Sequence, residues 1–221
     1  FTSGEEVGAS IEWIFDNAIP VLTGADCPVD IKDTFMRCIR KLPADSSIFI
    51  IGIMLPRKSR KIRLSVKFDD PLKIIPYLAD IGWPYETAHL CLLIHDAIRT
   101  KVNRIILDLD IGGEVGPKLG LECSFCPTIY HREHKWSYLF LYLVDSELIS
   151  RAECDAVLSF PGSDIIIRHL GNGTSSLNDK TPGRERIISS TIIRYISHLK
   201  FVYSPSEPLA VKAYIGIRQM D

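Results

Sequence analysis

Three stretches of this chain alternate apolar and polar residues with a period of two, and that pattern limits what it can fold into. Side chains leave a strand on opposite faces in turn, so such a stretch is a strand with one face buried and one polar. In Lys61 to Phe68, Ile62, Leu64, Val66 and Phe68 share one face while Lys61, Arg63, Ser65 and Lys67 share the other. In Arg104 to Ile111, Ile105, Leu107, Leu109 and Ile111 oppose Arg104, Asp108 and Asp110; in Lys118 to Phe125, Leu119, Leu121, Cys123 and Phe125 oppose Lys118, Glu122 and Ser124. A one-residue slip would turn every apolar side chain to the wrong face, so register is tightly constrained.

Turns between these strands make hairpins. Ser47 to Met54 meets Lys61 to Phe68 across Pro56-Arg57-Lys58-Ser59-Arg60, and Arg104 to Ile111 meets Lys118 to Phe125 across Gly112 to Pro117. A third hairpin joins Ile196 to Tyr203 and Leu209 to Ile217 around Ser204 to Pro208, with Val211, Ala213, Ile215 and Ile217 opposing Lys212 and Tyr214. Helical spacing fills the intervals. Ser10 to Ala18 and Ile31 to Leu42 open the chain. Pro71 starts a helix carrying Leu72, Ile75 and Leu78, Gly82-Trp83-Pro84 breaks it around a packed indole, and a second runs from Glu86 to Thr100. Trp136 to Val144, with Trp136, Tyr138 and Tyr142 mostly in the core, and Glu147 to Phe160 form the next pair, and Gly171 to Gly183 reads as a flexible loop.

The expected fold is therefore α+β: antiparallel β-hairpins alternating with helix pairs, in αββα order, forming a partial or closed barrel with helices on one face. A length of 221 residues suits one domain over 1–221. With 26 Lys plus Arg against 27 Asp plus Glu, bulk charge gives no reason to expect nucleic acid as a partner. No apolar run is long enough for a membrane helix. Six irregularly spaced cysteines, with no secretory leader legible, lead us to expect a reducing, cytoplasmic setting; oligomerisation is left open.

Three side-chain sets could carry chemistry. Lys61, Arg63, Lys67 and Lys212, with Tyr214 and with His198 and Lys200 nearby in the pattern, are assigned to polar faces, where together they would hold a diphosphate; a solvated face carrying Lys and Arg is the plainer explanation. Asp108, Asp110 and Glu122 could bind Mg²⁺, as in a metal-dependent hydrolase, or raise one another's pKa, with cross-strand pairing to Arg104 or Lys118 as the structural alternative. Cys123-x-x-Cys126 with His131 and His134 has a zinc look, but Cys123 lies on the apolar face and no second CxxC follows, so the reading is buried Cys plus surface His, with no metal and no cofactor. No P-loop, GxSxG or HExxH occurs.

Hairpins interleaved with helices, together with Lys212-Ala213-Tyr214 and the Arg63 and Lys67 pair, make the chain resemble the αββα-repeat (ABBA, PT-barrel) prenyltransferases over about Ser47 to Ile217. That family has five repeats, and three are legible here. The resemblance implies transfer of an isoprenyl group from an isoprenyl diphosphate to an aromatic or peptide acceptor in specialised metabolism. In that chemistry Lys61, Arg63, Lys67, Lys212 and Tyr214 would bind the diphosphate, and Glu122, then Asp108, would take the proton. The alternative is a non-catalytic accessory protein that binds a peptide or partner at a sheet edge or polar face.

Overall fold

The computed structural model describes residues 10–53, 61–125, 133–170 and 186–220. The expected loop at 171–183 and the first hairpin's turn lie outside them. In chain order the elements are α1 (Ile19–Thr23), entered through a π-helical turn at Ile14–Ala18, α2 (Val29–Arg40), β1 (Ser46–Ile53), β2 (Ile62–Phe68), α3 (Ile74–Asp80), α4 (Ala88–Arg99), β3 (Arg104–Ile111), β4 (Val115–Ser124), α5 (Lys135–Asp145), α6 (Arg151–Leu158), β5 (Gly162–Leu170), β6 (Arg186–Ser204) and β7 (Glu207–Met220). The strands form one seven-stranded sheet in the order β1-β2-β3-β4-β6-β5, with β7 on β6. The pairs β1–β2, β2–β3, β3–β4 and β5–β6 are antiparallel. The described strands do not close into a barrel, which corrects that part of the expectation: β1 ends the path at one side and β5 at the other.

The chain divides into two compact units, Phe1–Ser124 with Lys200–Lys212, and Phe125–Leu199 with Ala213–Asp221. In the first, alternation along β2, β3 and β4 sets the core: Ile62, Leu64, Val66, Phe68, Leu107, Leu109, Leu119 and Leu121 are all buried. The helices supply Phe35, Cys38, Ile74, Tyr77, Leu78, Leu90 and Ile94 to this core. Tyr77 tilts against Phe68 with ring centroids 5.5 Å apart and donates its hydroxyl to the Cys38 carbonyl at 3.1 Å. Pro71 opens a 3₁₀ turn capped by the Asp70 carboxylate, so Ile74, Tyr77 and Leu78 form the buried stripe and Leu72 is exposed. Trp83 packs as expected: it is buried and its Nε1 donates to the Gly116 carbonyl at 3.1 Å.

In the second unit Trp136, Leu139, Phe140 and Leu143 bury one stripe of α5, and Phe125 meets Trp136 edge-on at 4.7 Å. Tyr138 is exposed, not in the core. Ser150 and Glu153 form a capping box at the start of α6: the Ser150 hydroxyl accepts from the Glu153 N–H, and the Glu153 carboxylate accepts from the Ser150 N–H. Two departures concern strands. β5 was not anticipated, and β6 begins at Arg186 and pairs with it from there. The third hairpin is not covered as expected: Val211 is half-buried, while Ala213, Ile215 and Ile217 are exposed.

Candidate functional site

In the first unit, β2, β3 and β4 bring their second faces together in register. Arg63 stands opposite Asp110, Ser65 opposite Asp108, and Asp108 opposite Gly120. This face is polar but not solvated at its centre, since Ser65, Ile106, Asp108 and Ser124 are all buried. The cross-strand pairing expected with Arg104 or Lys118 is not what holds Asp108, since Arg104 Nε donates to Ser124 Oγ at 3.0 Å and Lys118 pairs with Glu207 at 2.7 Å, and a buried carboxylate needs partners. They are present. The Ser65 hydroxyl donates to Asp108 Oδ1 at 2.5 Å, and the Lys200 ammonium on β6 donates to Asp108 Oδ2 and, at 3.3 Å, to Glu122 Oε1.

Gly120 makes room for this group. A Cβ there would overlap Lys200 Cε and stand 3.1 Å from both Cβ and Oδ2 of Asp108. A glycine inside a strand marks such a close approach, and here the stem of Lys200 crosses β4 at that gap. Lys200 has 9% of its side chain exposed and Asp108 4%, while Glu122 keeps 20%, so the pair is enclosed and Glu122 is the member that meets solvent. Burial pushes the Glu122 carboxyl above the usual glutamate range, and the neighbouring charge of Asp108 and a hydrogen bond to it push the same way; the Lys200 charge opposes them. Chemically, Glu122 is a carboxyl that holds its proton more readily than usual, beside a second carboxylate and one cation.

The cations expected to hold a diphosphate do not gather. Arg63 places Nε and Nη2 on Asp110 Oδ1 at 2.9 and 2.8 Å. Lys67 pairs with Asp69 at 2.8 Å, and Lys61 lies along the β3–β4 turn, beside Gly112 and Gly116. Lys212 is exposed at the end of the first unit. Tyr214 belongs to the second unit, where its ring stacks on His198 with centroids 4.3 Å apart. Lys200 sits with the carboxylates and not with a basic set. Asp108 and Glu122 do come together as expected, with Asp110 engaged separately by Arg63.

Of the Cys/His set, Cys123 and His134 fall among the described residues. Cys126 and His131 lie outside the described residues. Cys123 is buried, and burial pushes its thiol up to about 12, which disfavours the thiolate a metal requires. Among the described residues no cluster of His, Cys, Asp and Glu is arranged to hold a metal ion, and no helix is long and apolar enough to cross a membrane.

Sequence reasoning missed Ser65 as a partner of Asp108, and Gly120 as the gap that admits Lys200. A lone glycine within the alternating run Lys118 to Phe125 was the available signal. No family model, curated protein or solved structure matches this chain.

Proposed function

We propose that this protein is a non-catalytic binding component that works by adding an incoming strand to the edge of β7. The observation that carries this reading is β7 itself: 14 residues long, exposed along most of its length, and paired among the described strands with β6. An edge strand offers a row of backbone N–H and C=O groups to any extended chain. Natural sheets that avoid such pairing keep the edge short or put charge, proline or a bulge on it. From Ala213 to Ile217 this strand has no charge and no proline, and Ile215 and Ile217 are 55% and 66% exposed. The ion pairs of the polar face support the same reading, because Arg63, Lys67 and Lys200 already neutralise the chain's own carboxylates. The described cysteines are free thiols, which supports placing the protein in a reducing compartment such as the cytoplasm.

Isoprenyl transfer is the second reading. One observation favours it: Glu122 is a half-enclosed carboxyl with a raised pKa, suited to accept a proton from an aromatic acceptor. The order of two strands, two helices, two strands and two helices from β1 to α6 supports keeping the αββα relationship as part of that reading.

The two readings separate in one titration series. A fluorescein-labelled octapeptide of alternating valine and threonine, held at nanomolar concentration, should rise in anisotropy with micromolar affinity as the protein is titrated in. Ile215→Lys with Ile217→Lys should abolish the rise. Geranyl diphosphate, measured by calorimetry, should bind no better than inorganic diphosphate. Micromolar geranyl diphosphate binding lost with Arg63→Ala, beside indifference to the peptide, would overturn strand addition in favour of transfer.

A further inference from the structure

Resting on the strand-addition reading, we propose that the partner at β7 is a second copy of this chain, its β7 antiparallel to the first with Gly216 opposite Gly216.

The edge of β7 is self-complementary. A two-fold axis through the middle of an edge pairs residue i with residue j at constant i + j, and partners across the ladder share a face. Alternation places Ala213, Ile215, Ile217 and Gln219 on one face of the strand, and Tyr214, Gly216, Arg218 and Met220 on the other. With Gly216 at the axis, Ile215 of each copy meets Ile217 of the other, and the four exposed isoleucines form one apolar cluster. On the opposite face Tyr214 of each copy meets Arg218 of the other, a cation over an aromatic ring. Side chains paired directly across a ladder are close enough to interact in this way.

The neighbouring registers are poorer. An axis at Ile215 sets Lys212 against Arg218, two like charges, and an axis at Ile217 sets Ile215 against Gln219 and Gly216 against Arg218. At the favoured axis Gly216 adds no side chain of its own. The Tyr195 ring lies across it: a Cβ at Gly216 would stand 2.5 Å from Tyr195 Cζ and 2.7 Å from its hydroxyl oxygen. An aromatic ring of the same chain thus covers the Gly216 face at the centre of the joint. A net charge of −1 leaves little long-range repulsion between copies.

Sedimentation velocity between 1 and 100 µM should show a monomer passing to a dimer. Ile217→Lys should weaken that association at least tenfold while leaving the circular dichroism spectrum unchanged, because Ile217 is exposed. Register is read by cross-linking with copper phenanthroline. A mixture of Ile215→Cys and Ile217→Cys chains should give a disulfide-linked heterodimer well above the level of either variant alone or of the parent chain. Strong cross-linking of Ile215→Cys with itself would overturn the register. A protein monomeric at 100 µM that still binds the alternating peptide would overturn the second copy and leave strand addition standing. A monomer indifferent to the peptide would overturn both.

Discussion

Replacing Lys200 by methionine removes the charge from the enclosed group and keeps most of the stem that lies over Gly120. Lys200 and Asp108 have 9% and 4% of their side chains exposed, so the pair is buried, and stripping one partner from a buried pair costs about 3–5 kcal/mol. Two features pull the figure to the lower end. Asp108 keeps the Ser65 hydroxyl, and Glu122, whose carboxyl is already raised, can take up a proton and donate it to Asp108 in a hydrogen bond once the cation has gone. We therefore expect about 3 kcal/mol at pH 8. The pH dependence has a definite sign. Glu122 is raised in the folded protein, so its contribution is full below the ordinary glutamate pKa and is lost as pH rises through the folded value. Lys200 opposes that rise, so removing it makes Glu122 harder to ionise, and the penalty grows with pH. Urea unfolding followed by circular dichroism at pH 8 and pH 5 should give a larger loss at pH 8. Adding Asp108→Asn to Lys200→Met should cost less than the two single losses together, with a coupling of about 1–3 kcal/mol. A loss below about 1 kcal/mol at pH 8, or equal losses at both pH values, would refute the buried-pair account.

Gly120→Ala should destabilise by about 1–3 kcal/mol in the same unfolding assay, because the new methyl overlaps Lys200 Cε; pairing it with Lys200→Ala, which empties that space, should recover part of the loss. Cys38 and Cys123 are both buried, with thiols pushed up to about 11 and about 12, so at pH 7.5 iodoacetamide followed by peptide mass spectrometry should modify them far more slowly than in urea-unfolded protein. A chelator such as EDTA should leave the melting temperature unchanged, and the purified protein should carry less than one zinc per chain; stoichiometric zinc lost together with stability on Cys126→Ser would restore the metal reading.

What could be read from the sequence follows from how local each constraint is. Alternation in β2, β3 and β4 gave the correct faces because Leu64, Val66, Leu107, Leu109 and Leu121 sit in a helix-covered sheet, where the period of two is enforced by burial. The same period misled in β7: Ile215 and Ile217 alternate correctly, but alternation does not say whether anything covers the apolar face. Asp108 and Glu122 were found together because one hairpin holds both. Lys200 was grouped with the wrong set because its partners are 92 and 78 residues away, joined through a β4–β6 neighbourhood that no local pattern encodes. The ion pairs within the diphosphate set were hidden for a related reason. Arg63 looked available on its own strand, yet it stands opposite Asp110 across the β2–β3 ladder and is bound there.

The central claim is that the protein acts through the edge of β7, and amide hydrogen exchange by mass spectrometry tests it most directly. Peptides covering Ala213–Met220 should exchange quickly at 1 µM and become protected at 100 µM or with excess alternating valine-threonine peptide, while β2 and β3 keep the same slow exchange throughout. Protection of Ala213–Met220 already complete at 1 µM, or exchange there unmoved by concentration and by peptide, would contradict the account.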